Sequence, residues 1–115
     1  MDTNKIRQEM KNVRPVSLTG KFMAFLKKRN SPLLVNVADS PDFFVPVFTE
    51  VIDLHRTAAY LGYKEDEIQI KHIDDGPDFA DSVFTAGLRI MLNPYIVDKT
   101  KTRWTEVIFD GPTES

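Results

Sequence analysis

The chain has no cysteine in its 115 residues, which excludes a disulfide framework and thiol chemistry and fits a reducing compartment. It has only five glycines, and none falls into a glycine-rich phosphate loop or a nucleophile elbow. Its two histidines, His55 and His72, do not stand at metal-ligating spacing. No hydrophobic run approaches transmembrane length, and the opening MDTNKIRQEMKNVR lacks the apolar stretch of a signal peptide. A net charge of -2 gives no global electrostatic case for nucleic acid. The expectation is a cytoplasmic protein that carries no cofactor and engages neither membrane nor nucleic acid.

What is present has the balance of an ordinary globular domain, 42% hydrophobic and 28% charged, long enough for a core without a structural metal. The organising stretch is DFFVPVFTEVIDLHRTAAYLG, residues 42–62. Aromatic and β-branched side chains at 43–48 read as a strand, and Pro46, which has no amide hydrogen to donate, points to an edge or a bulge. Thr49 stands where a helix N-cap belongs. Val51, Leu54, Ala58 and Leu61 recur at helical spacing, and Gly62 can end the helix in the left-handed conformation, with Tyr63 folding back.

Along the rest of the chain, residues 1–16 read as an arm or short helix carrying Ile6, Met10 and Val13, broken at Pro15. Residues 17–110 form one domain. A helix is expected from Ser17 or Thr19, with Leu18, Phe22, Phe25 and Leu26 as its buried stripe and Lys27, Lys28 and Arg29 closing it. Residues 33–38, LLVNVA, read as a buried strand joined to the next through the turn at 39–42. Residues 68–73 are a strand, Pro77 opens a further helix capped by Asp75 or Gly76, and Gly87 ends it. The strand 88–92 stops at Asn93-Pro94, and the segments 95–97 and 103–109 make a hairpin around a five-residue loop. Residues 111–115 are a frayed tail. The fold class expected is α+β: a mixed or antiparallel sheet of about five strands with hairpins, packed against three or four helices.

The most chemical-looking cluster is His72-Ile73-Asp74-Asp75-Gly76-Pro77-Asp78. One imidazole and three carboxylates can ligate a divalent cation, and neighbouring carboxylates can raise each other's pKa for acid–base work. The simpler reading is that Asp and Gly end a strand while acidic side chains face a helix N-terminus. His55 borders the apolar stripe of the central helix with no serine or acid at a spacing that implicates it. Trp104 beside Arg103 can stack a ligand, although a lone strand tryptophan more often belongs to a core or an interface. Phe43, Phe44 and Phe48 alternate too much to share one buried face, so an exposed one would mark a contact surface.

Two segments, Phe44-Val45-Pro46-Val47-Phe48-Thr49 before an amphipathic helix and Gly87-Leu88-Arg89-Ile90-Met91-Leu92-Asn93-Pro94, resemble the N-terminal domain of the SseB (enhanced serine sensitivity) family. The similarity covers most of residues 17–95. It departs after Asn93-Pro94, where a Gly-rich stretch is common in the family and Tyr95-Ile96-Val97 stands here. The resemblance implies a small cytoplasmic bacterial α+β domain, supplies no catalytic residue, and gives Thr49 and Asn93 as matched positions.

The function expected is therefore a non-enzymatic binding or protein-interaction domain. Its candidate contacts are Phe43, Phe44, Phe48, Thr49, His55, Asn93 and Trp104, and its partner is a second protein or a second copy in a homodimer. The alternative is a small metal-dependent hydrolase or transferase built on His72, Asp74, Asp75 and Asp78.

Overall fold

The computed structural model describes residues 16–37, 41–98 and 101–107, and only the backbone at 96–98 and 101–102. The expected arm before residue 16, the tail at 111–115 and the strand end at 108–109 lie outside the described residues. The elements follow in the order β1 (Phe22–Leu26), β2 (Ser31–Pro32), β3 (Val35–Asn36), β4 (Phe43–Val47), α1 (Val51–Tyr60), β5 (Ile68–His72), α2 (Gly76–Thr85), β6 (Arg89–Asp98) and β7 (Lys101–Val107), with a 3-10 turn at Glu65–Glu67. The class is α+β, but the single sheet of about five strands is corrected to two sheets, and the described residues hold two α-helices rather than three or four. No helix among them is long and apolar enough to cross a membrane.

One sheet has the order β2-β1-β5 and is antiparallel; the other has the order β3-β4-β6-β7, with β4 and β6 parallel. A parallel pair needs a long crossover, and the stretch carrying α1, β5 and α2 supplies it. The sheets join where Phe22 and Phe48 exchange both main-chain hydrogen bonds, at 2.9 and 2.8 Å. Each helix serves its own layer. Ala80 and Val83 of α2 pack with Val45, Val47, Ile90 and Val107 of the larger sheet. Leu54 and Ala58 of α1 pack with Ala24, Leu26 and Ile68 of the smaller one, and with Phe48.

The helix expected over the region of Leu18 to Arg29 is a strand, β1, and the reason is burial. Met23 belongs to the α2 cluster while Ala24 and Leu26 belong to the α1 cluster. A strand covered on both faces reads as a continuous apolar run, which periodicity does not separate from a helix. Gly20, at φ +88, interrupts any helix before it, and Lys27, Lys28 and Arg29 stand in the β1–β2 turn, completed by Asn30 at φ +50. The strand expected at 33–38 is divided instead: Ser31–Pro32 pairs with β1, and Val35–Asn36 pairs with β4.

β4 is not a simple edge, since it lies between β3 and β6. Main-chain N–H groups alternate sides along a strand, so Pro46 faces the same side as Phe48. That is the side where β3 has already ended after meeting Phe43 and Phe44, and where Phe22 takes over at Phe48. The proline therefore fills the gap in the ladder. Phe44 and Phe48 are buried, and Phe43 alone of the three is exposed, at 49%. A homodimer formed across β4 would have only this narrow gap to use.

Both helix ends follow local chemistry. Asp75 caps α2 by accepting the Asp78 N–H at 3.0 Å, with Pro77 in the first turn. Gly62, at φ +94, ends α1, and the Tyr63 N–H returns to the Ala58 carbonyl at 3.0 Å, the paired pattern of a Schellman motif. β6 runs through Asn93-Pro94 rather than stopping there, and Asp98 pairs with Lys101, so the last hairpin loop is shorter than five residues.

On the sheet face opposite α2, Arg89 bonds Asp42 and Glu106, each at 2.7 Å, and lies 5.7 Å from the Phe44 ring centre. Burial raises the Glu106 pKa above its ordinary value; the Arg89 charge and hydrogen bond oppose that, and Asp42 adds to it. A raised folded-state pKa gives stability that is present below the unfolded value and lost as pH rises through the folded one. Glu106→Gln removes that loss. Urea melts between about pH 4 and pH 7 are expected to show the variant gaining on the wild type as pH rises, and a difference that is constant or of opposite slope would contradict this.

Candidate functional site

The site is built around one asparagine. Asn93 holds φ +49, a left-handed conformation that asparagine tolerates better than most residues. Its side chain makes two bonds to the start of α1: the Thr49 N–H donates to Asn93 Oδ1 at 2.9 Å, and Asn93 Nδ2 donates to Thr49 Oγ1 at 3.0 Å. Thr49 is therefore not the helix cap. Glu50 holds that position without a side-chain cap bond, and its carbonyl accepts from Asp53 and Leu54. The hydroxyl expected to serve α1 serves β6 instead.

The same asparagine lies within a β-bulge. Leu92 pairs with Thr105 and Tyr95 with Arg103, so β6 spends one residue more than β7 across this interval. Beyond the bulge Tyr95 is 55% exposed, while Pro94 is buried. A depression of about 460 Å³ lies between α1 and the bulge, lined by Arg56, Thr57, Tyr60, Asn93, Pro94 and Tyr95 among others. A second, of about 310 Å³, lies against β7 and is lined by Leu92, Asn93, Tyr95, Arg103, Trp104 and Thr105. Asn93 and Tyr95 line both.

The polar tips on this surface are largely unengaged. The hydroxyls of Tyr60 and Tyr95, the Trp104 indole N–H and the Arg103 guanidinium make no hydrogen bond or ion pair among the described residues. Arg56 meets Asp53 at 3.4 Å, with both side chains well exposed, an arrangement of little energetic value. Trp104 is held by its ring, which meets the buried Phe44 edge-on at 5.0 Å, so that the contact reaches from β7 to β4.

Of the candidates from sequence, Thr49, Asn93 and Trp104 come together here. Phe44 and Phe48 belong to the interior, and Phe43 lines neither depression. Among the described residues His55 makes no side-chain hydrogen bond, and it lines a separate depression with Tyr63, Lys64 and Ile68. His72 Nδ1 meets Asp74 Oδ1 at 2.7 Å, and the His72 ring lies edge-on to Phe22. Asp75 is occupied as the cap of α2, and the described residues contain no group of three or more His, Cys, Asp or Glu that could hold a metal ion. His72, Asp74, Asp75 and Asp78 instead rim an apolar cleft of about 550 Å³ beside α2.

Tyr60, Tyr95 and Arg103 are the residues that sequence reasoning missed. Reading Asn93-Pro94 as a strand end hid the continuity of Tyr95 with β6. The available signal was an asparagine, tolerant of positive φ, set between two β-rich segments.

A double-mutant cycle tests the clamp. Thr49→Val is expected to cost roughly 0.5–1.5 kcal/mol, the net worth of one hydrogen bond. Asn93→Ala should cost more, because alanine in a left-handed conformation adds about 1–2 kcal/mol. Denaturant melts should give a coupling of about 0.5 kcal/mol or more between the two, and strict additivity would contradict the pairing. No family model, no curated protein and no solved structure matches the chain, so the reading of this surface rests on its own geometry.

Proposed function

We propose that the chain is a non-enzymatic protein-interaction domain that binds through the surface centred on Tyr95. The observation carrying this is the meeting of two depressions at one exposed tyrosine, flanked by Tyr60, Arg56, Arg103 and Trp104. Tyr, Trp and Arg are the residue types that dominate binding energy at protein interfaces, because each joins a large flat surface to a polar tip. Here the tips of Tyr60, Tyr95, Arg103 and Trp104 have no partner among the described residues. A rigid support lies beneath them: the bulge is tied to α1 by the Thr49–Asn93 bonds, and Trp104 is braced on Phe44.

The proposal extends the resemblance to the SseB family, whose matched positions Thr49 and Asn93 become the residues that position the binding surface. It also takes the domain to act in the cytoplasm, which a chain without cysteine fits.

Selection of a random peptide display library on the full chain tests the proposal. Enriched peptides are expected to bind the wild type and to lose most of their affinity for Tyr95→Ala, whose circular dichroism should remain that of the wild type. Enrichment indifferent to Tyr95→Ala and Tyr60→Ala, or none at all, would contradict it.

A further inference from the structure

We infer that the partner of this surface is an acidic segment of a second protein, laid across Tyr95 with its carboxylates toward Arg103 and Arg56 and an apolar side chain seated between Tyr60 and Tyr95. The inference rests on the interaction reading above and adds the chemistry of the partner.

Arginine and the tryptophan indole can only donate hydrogen bonds, and tyrosine hydroxyls donate readily. Arg103, Trp104, Tyr60 and Tyr95 thus offer donors with no acceptor of their own among the described residues, with Arg103 and Tyr95 as cross-strand partners on one face of β6 and β7. A carboxylate accepts from a guanidinium in a bidentate, charge-assisted pair, the strongest of the common matches.

The residues lining the two depressions include two arginines against a single aspartate, on a chain whose net charge is -2. Asp53, three residues earlier on the same exposed helix face, meets Arg56 at 3.4 Å, so a second carboxylate can approach Arg56 without breaking a buried pair. The described lining carries a net positive charge where the chain as a whole is negative. Complementary charge in such a setting selects the partner and speeds its approach.

Pro94, Ala59 and Thr57 line the depression beside Tyr60 and Tyr95, an apolar floor for one side chain rather than a closed pocket. Two shallow depressions on either side of one tyrosine suit an extended segment. Single-stranded nucleic acid would need a groove of cations to follow its phosphates, and among the described residues the two depressions hold one guanidinium without a partner, that of Arg103. A two-fold contact between copies would set arginine against arginine.

Trp104 is the only tryptophan in the chain, so its emission, excited selectively, reports directly on the site. The full chain is titrated with a random glutamate–tyrosine copolymer, a lysine–tyrosine copolymer and oligouridylate. The glutamate copolymer is expected to change the Trp104 emission saturably, more weakly as salt is added. Arg103→Gln should weaken that binding by about ten- to a hundredfold, the worth of a hydrogen bond to a charged group, with Arg103→Lys in between.

Equal binding of the lysine copolymer, stronger binding of oligouridylate, an unchanged affinity in Arg103→Gln, or no response to the glutamate copolymer would each overturn the acidic partner. So would a concentration-dependent dimer whose contact Arg103→Gln leaves intact and Tyr95→Ala abolishes. If display selects peptides that need Tyr95 but carry no carboxylate, the interaction surface stands and the acidic partner alone fails.

Discussion

Two hydrogen bonds between Thr49 and Asn93 join places 44 residues apart in sequence and hold the start of α1 against the middle of β6. Each residue both donates and accepts, so neither can shift without breaking both bonds. The pair allows Asn93 to keep a left-handed backbone inside a strand. That conformation accompanies the extra residue of the bulge, and Tyr95 stands exposed just beyond it. A side-chain pair on the surface of the fold thus sets the geometry of the surface taken here to bind a partner.

The remaining architecture makes that clamp possible. Phe48, fully buried, directly follows β4 and bonds Phe22 of β1, so the chain reaches Thr49 from a fixed point between the two sheets. Leu54 and Ala58 then hold α1 on the smaller sheet, while α2 covers the larger one. The candidate surface lies where α1, packed on one sheet, meets β6 and β7 of the other. Binding residues placed at such a junction are supported by regular elements on both sides, which favours a preformed rather than a folded-on-demand contact.

What could be read from the sequence was what is decided locally. The α1 stop at Gly62 with Tyr63 folding back, the Asp75 cap and Pro77 at the start of α2, and the β5 strand all depend on neighbours within a few residues. The helix expected over β1 is a strand because its neighbouring residues Met23 and Ala24 are both buried, each in a different core cluster, and such a strand keeps no alternation. Thr49 was misassigned because two partners compete for its hydroxyl. Local chemistry names the helix amides, and the distant Asn93 holds it instead. The site followed the same division: Thr49, Asn93 and Trp104 were candidates by residue type, whereas Tyr60, Tyr95 and Arg103 depend on where a bulge turns the chain. Phe44 and Phe48 looked like contact residues until burial placed them inside.

The central claim is that Asn93 accepts the Thr49 amide and thereby holds the bulge to α1. Thr49 is exposed, so its N–H should exchange rapidly with solvent unless that bond is made. Amide hydrogen exchange followed by NMR in the wild type and in Asn93→Ala measures this directly. The account predicts a protected Thr49 amide in the wild type that becomes unprotected in Asn93→Ala, while Leu54 and the core of α1 keep their protection. A Thr49 amide that exchanges freely in the wild type, or stays protected without Asn93, would contradict it.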